Sequence, residues 1–294
     1  NYIIWDHFTI NDYYCASLSD TGPVLLNGTG TQILNCDISG HGPTGYYWGH
    51  RFFNENSATV TTTGSNVVGT GSTFTAEFTP GVHSIGINGV LYPVVSVTDD
   101  THLTVTGTPG ATNAQYTMPG FKNNYEGIRL NNSVSGVVRG NKIHGFYNPT
   151  GGSRSGNEGG IIYYDSSSNI VENNEVYDCG IGIFVKGQQV NPLDDNEIRY
   201  NYVHDIITKG IQNLSGRRTK VYQNIVANVQ QWGLFAGFFE SESARFINNT
   251  LYNCGSSGAG YGGLTFNQTG GRALIDVHFK NNIVTNSSNY IGVI

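Results

Sequence analysis

From Val138 onward, apolar and polar positions fall into a repeating unit, apolar-x-x-Asn-x-apolar, that recurs six times. Its copies are Val138…Asn141…Ile143, Val171…Asn174…Val176, Ile198…Asn201…Val203, Val221…Asn224…Val226, Phe246…Asn249…Leu251 and Phe279…Asn282…Val284. Successive Asn residues are 33, 27, 23, 25 and 33 positions apart, as a stack of near-equal coils with loops of variable length requires. Each motif follows a strand led by glycine: Gly127-Ile128-Arg129-Leu130, Gly160-Ile161-Ile162-Tyr163, Gly182-Ile183-Phe184-Val185, Gly210-Ile211-Gln212-Asn213, Gly233-Leu234-Phe235-Ala236 and Gly263-Leu264-Thr265-Phe266. In these strands the second and fourth positions turn inward and the third and fifth outward. One coil therefore holds a glycine-led strand, a turn, a short strand ending at Asn, a bend and a third strand. An earlier coil, Val24-Leu25-Leu26 then Ile33…Cys36…Ile38, carries Cys in the place of Asn.

This pattern predicts an all-β chain, a parallel β-helix solenoid. Stacked at the ~4.8 Å spacing of paired strands, the Asn side chains would form a hydrogen-bonded amide ladder, structural in role. Between Phe53 and Phe121 the pattern stops. Segments such as Ala58-Thr59-Val60-Thr61-Thr62, Ile85-Gly86-Ile87-Asn88-Gly89 and Tyr92-Pro93-Val94-Val95-Ser96-Val97 alternate β-branched residues with turn signals. They predict a small antiparallel barrel or sandwich, inserted as residues 56–118 into a solenoid made of 1–55 and 119–294.

The repeat resembles the pectate-lyase-like family of right-handed β-helix proteins over 1–55 and 119–294, and the insert is similar to compact β-modules of phage tail and tail-spike proteins. The family resemblance implies fold first, because the fold hosts lyases, hydrolases, epimerases and inert tail fibres. It also implies an extracellular or virion setting, and tail spikes of this fold are commonly homotrimers. Composition agrees with a folded, neutral polar surface: 40 Gly, 38% hydrophobic residues and only 12% charged ones. A net charge of −6 with 15 Lys+Arg leaves no basic stripe for nucleic acid. No apolar run approaches a membrane span. The first residues, Tyr2-Ile3-Ile4-Trp5, already read as a strand, so the chain reads as part of a longer protein and its compartment stays open. Cys15, Cys36, Cys179 and Cys254 lack metal-binding spacing and read as four buried thiols.

Candidate chemistry lies on outward positions. On the glycine-led strands these are Arg129 and Asn131, Ile162 and Tyr164, Phe184 and Lys186, Gln212 and Leu214, Phe235 and Gly237, then Thr265 and Asn267. Ile162, Phe184, Leu214 and Phe235 would need cover from loops or a ligand. On the third strand, His144, Tyr177 and His204 would stack on consecutive coils. An anionic, uronic-acid polysaccharide is the substrate class this set suggests, cleaved by β-elimination. That reaction needs a cation for the carboxylate, a base for the C5 proton and an acid for the leaving oxygen. Arg129, Lys186 and Arg154 offer charge, His144, Tyr177 and His204 offer base and acid, and Tyr164, Phe184 and Trp48 offer stacking surfaces, with Asn131 and Gln212 as polar contacts. The runs Asn124–Leu130 and Gly182–Gly187 resemble strands that carry Arg and Lys in alginate and chondroitin lyases of this fold, but the calcium-holding acidic pair of that family and its Arg-His-Gly are missing. Calcium would have to use Glu158, Asp165 or the Asp194-Asp195 turn. The same Asp pair makes only a poor match to a polygalacturonase-type hydrolase. The rival class is a glycan-binding structural protein that does not cleave.

Overall fold

The computed structural model describes residues 3–13, 23–40, 58–81, 83–88, 90–117, 126–146, 158–187, 193–237, 241–258, 260–267, 274–288 and 291–293. Cys15, Trp48 and Arg154 lie outside them. Two compact units emerge, one from residues 3–13, 23–40 and 126–293, the other from 58–117.

The first unit is a parallel β-helix. The strands ending at the ladder position, from Ile4–Asp6 and Gln32–Leu34 through Val137–Arg139 to His278–Lys280, pair in parallel as one eight-stranded sheet. Glycine-led and third strands make up a second sheet system, and on two coils they fuse into continuous strands, Glu175–Lys186 and Tyr202–Asn213. Ile, Val and Leu from all three strand types fill a single core, among them Ile128, Ile161, Ile183, Ile211 and Leu234 from the glycine-led strands. Burying each such side chain is worth ~1.5–3 kcal/mol.

Every coil turns through bends built on a residue in the left-handed region. One series precedes the ladder residue: Asn35, Gly140, Asn173, Tyr200, Gln223, Asn248 and Asn281, with φ of 51–69°. Another follows the third strand: Gly145, Asp178, Asp205, Asn228, Asn253 and Asn286. A third is Ser135, Ser168, Asp195, Arg218, Ser243 and Asp276. Asn and Asp tolerate this conformation because their short side chains bond locally, whereas Tyr200 and Arg218 carry its full steric cost. The leading glycines answer a different constraint. A Cβ at Gly182 would overlap both the Gly210 carbonyl and the Val203 side chain, and Gly160, Gly210 and Gly233 face the same crowding from the coil that follows.

The amide ladder forms as the motif predicts. Asn141, Asn174, Asn201, Asn224 and Asn249 each donate from Nδ2 to Oδ1 of the next Asn at 2.9–3.0 Å. The same Oδ1 also accepts the backbone N–H of the preceding ladder Asn, and each Nδ2 reaches a core-strand carbonyl, such as Asn201 to Val171 O at 2.9 Å. Cys36 heads the column, its N–H donating to Asn141 Oδ1 at 2.9 Å. A second, shorter ladder went unrecognised in the sequence: Asn169 donates to Asn196 Oδ1 at 3.1 Å and accepts from Ser133 Oγ at 2.9 Å. Cys36, Cys179 and Cys254 are buried free thiols. Burial pushes the Cys179 thiol up to about 12 and that of Cys254 to about 11.

The second unit is a closed six-stranded antiparallel barrel, which decides between the two architectures left open by the sequence. Val60, Val67, Ile85, Ile87, Val94 and Leu103 line its core with Phe74, Phe78 and Tyr116. The Tyr116 hydroxyl in this core donates to Glu77 at 2.7 Å.

Two substitutions test these constraints. Replacing Asn201 by Ala strands the Asn174 N–H groups and the Val171 carbonyl, and should lower stability by about 3 kcal/mol in urea unfolding, since each unmatched buried polar group costs ~1–3 kcal/mol. A loss below about 1 kcal/mol would mean the ladder contributes little. Tyr200→Asn should instead raise stability by about 1 kcal/mol by relieving the left-handed backbone.

Candidate functional site

Register in the glycine-led sheet aligns the outward residues into rows, one residue per coil. The middle row runs Arg129, Ile162, Phe184, Gln212, Phe235, Thr265. Beside it lies Asn131, Tyr164, Lys186 on one flank and Ile181, Lys209, Trp232 on the other. Strand alternation sets which way each residue points, but it does not leave the middle row open. Ile162, Phe184, Leu214 and Phe235 are 0–6% exposed, and Ile162, Ile181, Phe184 and Leu214 with Tyr164 form an apolar cluster of their own outside the solenoid core.

Polar groups interrupt this apolar strip. Arg129, expected as an available charge, is buried and directed at Glu126, with Nη1 3.4 Å from Oε1. Its guanidinium lies 4.2 Å from the Tyr164 ring centre, and Lys186 Nζ lies 5.2 Å from the same ring. Tyr164, on the coil between them, thus holds two cations on a partly exposed ring, an arrangement worth ~0.5–2 kcal/mol per cation. Lys186 also lies 5.9 Å from the Phe184 ring. Asn131 is half-buried in the same row as Tyr164, and Gln212 is buried with Oε1 lacking a hydrogen-bond partner among the described residues.

The third-strand residues form a separate column. His144 and Tyr177 stack at 4.6 Å and Tyr177 and His204 at 5.1 Å, both pairs within 6° of parallel. Carboxylates hold both imidazoles: Asp37 lies 3.2 Å from His144 Nε2, and Asp205 lies 2.7 Å from His204 Nδ1. Tyr202 stacks on His204 at 4.2 Å. Lys142 reaches the Tyr177 hydroxyl, which pushes its ammonium pKa upward. Both sets share the strand Glu175–Lys186, but left-handed Asp178 bends it between Tyr177 and Phe184. The described contacts of each set stay within that set, so sequence neighbours were not brought into one cluster.

The remaining acidic candidates are engaged elsewhere. Asp194 and Asp195 each accept from Nε and Nη2 of an arginine, Arg217 at 2.7–2.8 Å and Arg218 at 2.8–2.9 Å. Those hydrogen bonds hold both carboxyls below the ordinary carboxylate range, the opposite of what a general acid requires. Both carboxylates are thus committed to arginines. Glu158 is buried with its carbonyl accepting the Ile181 N–H, and Asp165 sits half-buried in a left-handed turn. Among the described residues no three His, Cys, Asp or Glu side chains could hold a metal ion together. Glu126, Lys209 and Trp232 were missed as contributors to the glycine-led face. They stand immediately before the leading glycine, and extending each strand by one residue would have shown them.

Opposite charges also alternate outside the ladder strands. Glu172 accepts from Arg139 Nε at 2.5 Å and Arg199 Nε at 2.6 Å, while Glu197 meets Arg199 at 2.7 Å and Lys220 at 3.1 Å. Burial raises the Glu172 carboxyl, but the two arginines outweigh it and leave it below its usual value.

The chain belongs to the right-handed β-helix family, whose model of the right-handed β-helix region matches residues 94–237 and 154–294, together more than half of the chain. No curated protein matches it. Among solved structures it resembles the Dettilon tailspike, at 14% identity over 95% of this chain and 55% of that one, with a TM-score of 0.48. It also resembles the tailspike of Acinetobacter baumannii bacteriophage AP22, solved with A. baumannii capsular saccharide, at 10% identity over 95% of this chain and 64% of that one (TM-score 0.28). The tailspike of Pseudomonas phage phi297 matches at 12% identity over 92% of this chain and 62% of that one (TM-score 0.22). The chain thus spans 55–64% of the length of these tailspikes.

The lowered carboxylates set the acid response. Their contribution is complete above about pH 4.5, the unfolded value, and is lost as pH falls through the lower native values. Urea midpoints of the wild type should therefore fall below that pH, and Glu172→Gln should start lower at neutral pH and decline less steeply. Parallel acid profiles for the two proteins would contradict this assignment.

Proposed function

We propose that this protein acts on an anionic, uronic-acid-containing polysaccharide laid along the glycine-led sheet, and that it cleaves the chain by β-elimination. The observation that carries this reading is the Arg129–Tyr164–Lys186 group, a partly exposed aromatic ring with cations 4.2 and 5.2 Å from its centre. An aromatic face packs on the apolar face of a sugar ring, and a cation meets the carboxylate of a uronate. Among common polymers, acidic polysaccharides present both together along an extended strand. In the elimination the C5–H and C4–O bonds break, the C4=C5 double bond forms, and the proton lost from C5 is balanced by one delivered to the leaving oxygen. Lys186 neutralises the carboxylate so that charge can build on C5, Tyr164 exchanges the proton, and Arg129, tied to Glu126, fixes the ring.

A second reading, recognition without cleavage, is favoured by one feature: the His144–Tyr177–His204 column, richest in proton-transfer groups, belongs to the neighbouring third strands. A virion tail-spike role, with a homotrimer, goes with that reading. Both readings place the protein outside the cell or on a virion, where such polymers are met.

Incubation with alginate, pectate, chondroitin and heparosan, followed by the absorbance of the unsaturated product, separates them. Turnover of one polymer is expected, with Lys186→Ala and Tyr164→Phe each lowering kcat/KM by about a hundredfold while thermal unfolding changes little. His144→Ala reports whether the column takes part. Glycan binding with no absorbance gain on any of the four overturns the lyase reading in favour of recognition alone.

A further inference from the structure

We infer that Lys209, Gln212 and Thr265 form a second station for an acidic sugar, which seats a carboxylate on the Lys209 ammonium and sugar hydroxyls on Gln212 Oε1 and Thr265 Oγ1. This inference rests on the polysaccharide reading above and extends it along the sheet to coils beyond Lys186.

Its three polar groups are buried, and among the described residues none of them has a hydrogen-bond partner at the atom concerned. Lys209 is 8% exposed, and among the described residues it meets no carboxylate and no hydrogen-bond acceptor; only the rings of Trp232 at 5.0 Å and Phe235 at 5.7 Å lie over its ammonium. Burial alone lowers its pKa to about 8. Gln212 and Thr265, 2% and 1% exposed, each leave a side-chain oxygen without a hydrogen-bond partner. The fold places them together: Lys209 and Gln212 share a strand, Gln212 pairs with Phe235, and Phe235 pairs with Thr265. Two strand spacings are ~10 Å, the scale of a sugar residue and its substituents.

Each group is unfavourable in the free protein, since Gln212 Oε1 and Thr265 Oγ1 have surrendered water without a hydrogen bond in return and the Lys209 ammonium has only two aromatic rings beside it. Their chemistry is complementary to one kind of ligand. The cation requires an anion, and the two oxygens can accept from hydroxyl donors. Trp232 adds a partly exposed ring at the rim, fixed by Nε1 donating to Gly260 O at 3.3 Å and by an edge contact with Tyr261. A sugar bearing a carboxylate supplies all three contacts, whereas a neutral sugar leaves Lys209 without an anion and a fully ionised inorganic anion has no hydroxyl to donate to Gln212 Oε1.

Calorimetric titration with oligosaccharides of alginate, pectate, chondroitin and heparosan, and with the same oligosaccharides after reduction of their carboxyl groups, tests the assignment on the full chain. Lys209→Met should weaken binding of the acidic oligosaccharide by about tenfold or more, leave binding of the carboxyl-reduced form within about twofold of wild type, and keep or raise Tm, because it removes an unpaired buried charge. Thr265→Val, close to isosteric, should weaken both forms and decides the matter if Lys209→Met does not fold. Wild-type affinity in Lys209→Met, with weakened binding in Lys186→Ala, overturns the second station and leaves the polysaccharide reading intact. Wild-type protein that binds none of the four overturns both.

Discussion

The structure depends on satisfying polar groups at the corners of a coil. Turning the chain back on itself every few residues takes backbone N–H and C=O groups out of the sheets and leaves them facing the core, where each unmatched group would cost ~1–3 kcal/mol. The ladder asparagine answers this with one side chain. Its Oδ1 takes the N–H and the amide of the preceding coil's Asn, and its Nδ2 takes a carbonyl and the next Oδ1. Left-handed residues then make the corner tight enough for the amides to meet.

Fixed corners place the outward side chains in register. The same residue position on successive strands lies on one line, so a groove lining need not be assembled from distant loops. Arg129, Tyr164 and Lys186 meet because their strands are neighbours, and His144, Tyr177 and His204 stack for the same reason. The bend at Asp178 and Asp205 keeps the two groups on different strands of the coil.

Fold was legible because the pattern apolar-x-x-Asn-x-apolar records two physical requirements at once, a buried strand face and a buried amide. The left-handed positions were harder to see, since Asn35, Gly140, Tyr200 and Gln223 share a conformation and not a chemical identity. Two-residue alternation distinguished inside from outside at Phe184 and Phe235, but it carries no information about what covers an outward residue. The pairing of Arg129 with Glu126, three residues apart, and the isolation of Lys209 are facts of packing. Neither is encoded in residue type. The insert's alternating Thr and Val residues gave strands, but closure into a barrel depends on the pairings of Thr59–Thr63, Asn66–Thr70 and their neighbours, which alternation alone does not specify.

The ladder has one further property, its direction. From Asn141 to Asn249 each amide donates to the Oδ1 of the next, higher-numbered Asn and none to that of the preceding one, its second N–H going to a backbone carbonyl of the preceding coil. Amide dipoles along the column therefore point the same way and polarise one another, so a bond in the middle is reinforced from both sides and a bond at an end from only one. Cys36 offers this chain a backbone N–H but no side-chain amide, and the polarisation stops there. The solenoid is thus electrically asymmetric along its axis even though its coils are near copies of one another.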